Sequence, residues 1–178
     1  MRYIALLRGV NVGGHIVRME RLRAVFSELG FTNVQSYIQS GNVFFDDSSA
    51  SRAELIAKIE ARLAAEFGFA IPACLRTVAE FEAILESDPF RGIELTADRR
   101  FCIYFTTQTI PTVALPKVSP KGDLTIVGTT PHEAFVVWKI VNGRPPASDS
   151  FLAETLGCPA TARFFHTSQK ILAAAKRT

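Results

Sequence analysis

Apolar positions follow one another without interruption from Tyr3 to Leu7, and the stretch 2–7 predicts a buried strand. Beyond a glycine-rich segment, Leu22, Val25, Phe26 and Leu29 recur at helical spacing until Gly30 offers a C-terminal stop. Val34 to Gln39 and Asn42 to Asp46 are short runs rich in aromatic and β-branched residues. Joined at Ser40-Gly41, they predict an antiparallel hairpin. Ser51-Arg52-Ala53-Glu54 is a capping-box pattern, and it opens a helix whose stripe is Leu55, Ile59, Leu63 and Phe67, closed by Gly68. Ile71 to Arg76 predicts another strand, and Thr77-Val78-Ala79-Glu80 opens a helix carrying Phe81, Ile84 and Leu85. The order β-α-β-β-α-β, followed by a helix and ending near Asp88-Pro89, is that of a ferredoxin-like split β-α-β unit.

The second half alternates less clearly. Phe101 to Thr106, Leu124 to Val127 and Ala134 to Val141 have strand composition, while Ser150 to Leu156 and Thr167 to Lys176 predict helices. Pro111 to Lys121, with prolines at 111, 116 and 120, reads as a connection holding at most a short helix, and Asn142 to Ala147 as a turn. The expected fold class is α+β. Residues 1–89 form a ferredoxin-like subdomain, and residues 90–178 form a smaller α+β subdomain packed on it.

The 178 residues are 48% hydrophobic and 21% charged, a mixture able to bury a core, so disorder is not the expectation. A net charge of +3 tolerates an anionic partner without demanding one. Cys74, Cys102 and Cys158 are distant from one another and lie among apolar or small neighbours, which predicts buried reduced thiols. The N-terminal apolar run is too short for a signal peptide, and no segment approaches the roughly 20 apolar residues of a membrane span. A cytoplasmic location without membrane contact is the expectation that remains.

In a ferredoxin-like sheet the first two strands run parallel with the third antiparallel between them. The loop Arg8 to Gly14 and the turn Gln39-Ser40-Gly41-Asn42 should then meet at one edge, on strands about 10 Å apart. Gly9, Gly13 and Gly14 can take positive φ and let a ligand approach the backbone, where successive amides can form an anion-binding concavity. Arg8, His15 and Arg18 would add cationic or hydrogen-bonding groups, and Asn11, Ser40 and Asn42 neutral polar ones. Such a surface suits phosphate, carboxylate or a nucleic-acid backbone. The same residues also build tight loops for geometric reasons alone. G-x-N-x-G-G matches neither the P-loop nor the dinucleotide fingerprint, so no cofactor is implied.

Elsewhere the chemistry is thinner. His15, His132 and His166 lack metal-ligand spacing, and no metal site is expected. Ser40 stands in no nucleophile elbow, and a structural turn serine is the simpler reading. In Thr161-Ala162-Arg163-Phe164-Phe165-His166-Thr167, Thr167 would cap the last helix while the phenylalanines anchor it; alternatively the aromatics, Arg163 and His166 would stack on a base. Three functions follow: a binding protein for a small anionic ligand such as a nucleotide, an RNA- or DNA-binding protein using Arg2, Arg8, Arg18, Arg21 and Arg23, or an enzyme using Arg8 for orientation and His15 as acid or base.

The chain resembles a bacterial family of unknown function, DUF1697. The resemblance rests on Leu6-Leu7-Arg8-Gly9-Val10-Asn11-Val12-Gly13-Gly14, Met19, Leu22, Tyr37-Ile38-Gln39-Ser40-Gly41-Asn42-Val43, Leu156-Gly157, Thr161, Arg163 and Thr167, and it spans essentially the whole chain. It implies a ferredoxin-like N-terminal part and brings no established activity. The family's Arg-Asn-Trp-Asn-Thr motif departs here to Arg163-Phe164-Phe165-His166-Thr167, so only Arg163 and Thr167 carry over. Together these arguments select Arg8, Gly9, Asn11, Gly13, Gly14, His15, Gln39, Ser40, Gly41, Asn42 and Arg163 as candidate ligand-binding residues.

Overall fold

A computed structural model of the chain describes residues 1–48, 51–146 and 149–177. Its internal contacts separate into two units, Met1–Ala83 with Lys170–Thr178, and Ile84–Gln169.

The first unit carries β1 (Arg2–Leu7), α1 (Met19–Glu28), β2 (Thr32–Tyr37), β3 (Asn42–Asp46), α2 (Arg52–Phe67) and β4 (Ala73–Thr77), and α3 (Val78–Glu86) begins in it. The sheet has the order β2-β3-β1-β4, with every neighbouring pair antiparallel. Alternate residues of β1 serve opposite faces. Tyr3, Ala5 and Leu7 join Val43, Phe45, Ala73 and Leu75 in a core completed by Leu22, Val25 and Phe26 of α1 and Leu55, Ile59 and Leu63 of α2. Ile4 and Leu6 share the other face with Phe44, Asn42, Cys74 and Arg76 through the cross-strand register, and all of these are buried too. Burial on both faces is why β1 reads as a continuous apolar run rather than an alternating one.

Local chemistry sets the boundaries. The Ser51 hydroxyl accepts from the Glu54 amide at 3.3 Å, and Gly68 ends α2 in the left-handed region at φ 79°. Thr77 and Glu80 form a reciprocal capping box: the Thr77 amide donates to the Glu80 carboxylate at 2.8 Å, and the Glu80 amide donates to the Thr77 hydroxyl at 3.1 Å. β4 begins after Pro72, two residues later than the sequence predicts, since proline has no N–H for the ladder. α1 follows Arg18 with no side-chain cap.

The second unit contains β5 (Arg99–Thr106), β6 (Lys117–Val118), β7 (Leu124–Thr129), β8 (Glu133–Lys139), α4 (Asp149–Leu156) and β9 (Ala160–Phe164), and α5 (Phe165–Ala175) begins in it. Its antiparallel sheet has the order β6-β7-β8-β5-β9. Cys102, Tyr104, Leu124, Ile126, Ala134 and Val136 of this sheet pack with Leu152 and Leu156 of α4. Trp138 lies against this core and donates its indole N–H to the Tyr104 hydroxyl at 3.1 Å.

Two expectations are corrected. The proline-rich connection carries the short strand β6, paired with β7, and no helix. Residues 160–164 form β9, and α5 starts at Phe165, so Thr167 lies inside the helix rather than capping it.

Candidate functional site

The segment after β1 and the turn between β2 and β3 are knit together by backbone contacts. The Leu7 amide donates to the Gly41 carbonyl at 2.8 Å. Asn11, at φ 56°, donates its side-chain amide to the carbonyls of Gln39 at 2.8 Å and Val17 at 3.1 Å, and its side-chain oxygen accepts from the Val17 amide at 2.7 Å. Gly41, at φ 73°, sits so close that a Cβ there would lie 2.9 Å from Cβ of Leu7. Only glycine suits that position, for both conformation and space.

Asn42 is fully buried and donates to the Tyr37 carbonyl at 3.1 Å and the Ser40 hydroxyl at 3.0 Å. The Gln39-to-Asn42 turn is therefore a scaffold for the first loop. The side-chain amide of Asn11, expected to face a ligand, ties the first loop to the turn, and that of Asn42, expected to do the same, holds the turn itself.

What the scaffold presents is backbone. Gly9, Asn11 and Gly13 have φ of 75°, 56° and 61°, while Val10 and Val12 do not enter the positive region, so φ alternates in sign before Gly14 at 86°. Among the described residues, the amides of residues 9–14 donate no hydrogen bond. Arg8 is exposed, its own amide anchored on the Pro72 carbonyl at 2.9 Å, and its guanidinium makes no ion pair or hydrogen bond among the described residues; the Arg18 guanidinium makes none either. Alternating backbone of this kind can turn successive N–H groups toward one side, and Arg8 and Arg18, which have no side-chain partner among the described residues, flank it in sequence.

The remaining candidates have local partners. The imidazole of His15 lies on the Phe69 ring with centroids 4.0 Å apart, and its backbone amide donates to the Val12 carbonyl at 3.2 Å. Arg163 belongs to the second unit, where its buried guanidinium donates to the Thr161 hydroxyl at 3.1 Å and the Ala162 carbonyl at 2.8 Å.

Of the other arginines, Arg2 is paired with Asp46 at 3.1 Å, and Arg23 donates to the Ser36 hydroxyl at 2.8 Å. Arg21 bridges Glu66 at 2.5 Å and Glu28 at 2.6 Å, and Arg62 reaches both carboxylates as well. Hydrogen bonds from Arg21 and then Arg62 hold the Glu66 carboxyl down to about 2. Among the described residues, no group of three or more His, Cys, Asp or Glu is placed to hold a metal ion, and no helix is long and apolar enough to cross a membrane.

A family model described as "Protein of unknown function (DUF1697)" matches residues 1–127, a span that includes both segments of the site. Among solved structures, the chain is similar to the conserved bacterial protein SP0830 from Streptococcus pneumoniae. Identity is 28%, the alignment covers 99% of this chain and 98% of that one, and the TM-score is 0.65. No curated relative matches.

Proposed function

As this chain belongs to the DUF1697 family, whose description assigns no activity, we propose from its geometry that the loop Arg8 to Gly14 binds a small anion, the phosphate or carboxylate of a metabolite such as a nucleotide. The observation that carries this is the run of amides 9–14 without an acceptor among the described residues, on backbone of alternating φ, flanked in sequence by Arg8 and Arg18, whose guanidinium groups have no partner among those residues. Gly9, Gly13 and Gly14 supply the conformation, Asn11 locks it, and Gln39, Ser40, Gly41 and Asn42 hold it from behind. Loops fixed on a rigid scaffold are where binding residues concentrate.

The first unit is best read as ferredoxin-like, which the order β1-α1-β2-β3-α2-β4 and the sheet order β2-β3-β1-β4 support. Three buried cysteines without disulfides support a reducing, cytoplasmic setting. Nucleic-acid binding gains no support from Arg2 and Arg21, which are engaged by carboxylates. Nor does acid–base catalysis gain any from His15, which is stacked on Phe69.

Titrating the 15N-labelled protein with inorganic phosphate and with acetate tests the reading. Saturable shifts of the Gly9, Asn11, Gly13 and Gly14 amides are expected, weakening with added salt. Arg8→Ala should reduce the affinity about 5-fold, the effect of removing one exposed charge worth about 1 kcal/mol. Amides that stay still, or shift equally in Arg8→Ala, would remove the proposal.

A further inference from the structure

A second site lies in the second unit and involves none of the residues discussed above for the loop. An open cleft of about 530 Å³ is lined by Arg99, Arg100 and Phe101 at the start of β5 and by Phe165, His166 and Gln169 in the first turns of α5. Its volume falls in the range of roughly 300–1,000 Å³ usual for small-molecule sites.

The two arginines are held by backbone carbonyls and make no ion pair among the described residues. Arg99 donates from one terminal nitrogen to the Glu94 carbonyl at 3.1 Å, and Arg100 donates from one to the carbonyls of Ala97 at 3.0 Å and Arg99 at 2.6 Å. Their remaining N–H groups have no acceptor among the described residues, and neither side chain makes an ion pair there. Asp98, between them and the loop before β5, accepts from the Thr96 hydroxyl at 2.5 Å and bridges to neither arginine. Guanidinium groups fixed by one nitrogen and open at the others are preorganised for two-point contact with a phosphate or carboxylate.

Beside these cations stand rings that the core does not fully cover. Phe101 and Phe165 are each half-buried, and Phe90 fixes both. It stacks on Phe101 at 4.5 Å with the planes 5° apart and meets Phe165 nearly edge-on at 5.3 Å. The exposed His166 ring runs parallel to Phe164 at 5.8 Å, so it is oriented at the rim, where Gln169 adds an amide. Rigid aromatic walls favour a flat apolar group, and the adjacent guanidinium groups favour negative charge.

We infer that this cleft binds a planar aromatic molecule carrying an anionic group, with a mononucleotide as a ligand of suitable size. The ring packs against Phe101 and Phe165, the anion engages Arg99 and Arg100, and His166 and Gln169 supply polar contacts at the edge. This is the stretch 161–167 singled out in the sequence for its aromatics and histidine, and the cleft gives Phe165 and His166 a role that the family motif does not carry over to them.

NMR titration of the full chain with AMP, phenyl phosphate and inorganic phosphate tests it at the His166 and Gln169 amides. AMP or phenyl phosphate should shift them saturably, and inorganic phosphate should do so much more weakly. The double variant R99Q/R100Q should lose about tenfold or more in affinity. Phe165→Leu, which keeps an apolar side chain against Phe90, should lose about fivefold through the missing stack. Arg8→Ala should bind in the cleft like the wild type, which separates this site from the loop. Failure of both aromatic probes to bind saturably, unchanged affinity in R99Q/R100Q, or equal binding of inorganic phosphate would each overturn the inference.

Discussion

Asn42 has no exposed surface and makes the turn after β2 by donating to Tyr37 and Ser40. Removing its amide takes two hydrogen bonds from part-buried acceptors, so Asn42→Ala should cost about 1–3 kcal/mol in chemical denaturation. Asn11→Gly separates conformation from clamping. Glycine accepts the φ of 56° without strain, yet the bonds to Val17 and Gln39 are gone, and a loss of about 1–3 kcal/mol is again expected. Cys102, pushed up to about 12 chiefly by burial, remains a protonated thiol at neutral pH. With Cys74 and Cys158 also buried, a disulfide-exchange reagent should label none of the three in the native protein and all three in denaturant. Local pattern pointed to Asn11 and Asn42 as important positions. It did not give their task, because the carbonyls they bind arrive from residues brought close only by the folded sheet or turn.

At the level of elements, turn and cap chemistry was the readable part. Ser51 to Glu54 and Thr77 to Glu80 announce two helices by spacing alone, and both caps form. Ser51→Ala should lower stability by about 1 kcal/mol. Gly41→Ala should cost more, since it meets both a positive φ and the Leu7 and Val10 side chains, and it should displace the Arg8-to-Gly14 loop as well. A thermal melt combined with the phosphate titration would show both effects in Gly41→Ala and only the first in Ser51→Ala. β6 and β9 escaped a local reading for different reasons. β6 is two residues long and exists through its pairing with β7, which no property of Lys117 or Val118 encodes. β9 carries a period-two signal, with Thr161 and Arg163 buried on one face and Ala162 and Phe164 packed on the other, but polar residues occupy its more buried face. Hydrophobic alternation therefore pointed the wrong way.

At the scale of the whole molecule, charge is arranged in knots rather than fields. Arg21, Arg62, Glu28 and Glu66 join α1 to α2, and the Glu66 carboxyl sits at about 2 against its ordinary 4.5. A carboxyl depressed by folding contributes stability that is complete above its ordinary value and disappears as pH falls through the folded one. Stability should therefore decline between pH 4.5 and 2, and Glu66→Gln should flatten that part of a melting-temperature profile. Net charge foretold none of this, and it also gave no hint that Arg99 and Arg100, which make no ion pair among the described residues, stand beside two phenylalanines, a neighbourhood assembled from β5 and α5. Ile84–Gln169 is contiguous, whereas the first unit is interrupted by it and regains residues only at Lys170–Thr178, where the Arg2 guanidinium reaches the Ala175 carbonyl at 2.7 Å. During synthesis, domains ordinarily complete in the order in which they emerge from the ribosome. Here every residue of the second unit precedes the last segment of the first, so the second unit can begin to fold before the first has gained that segment.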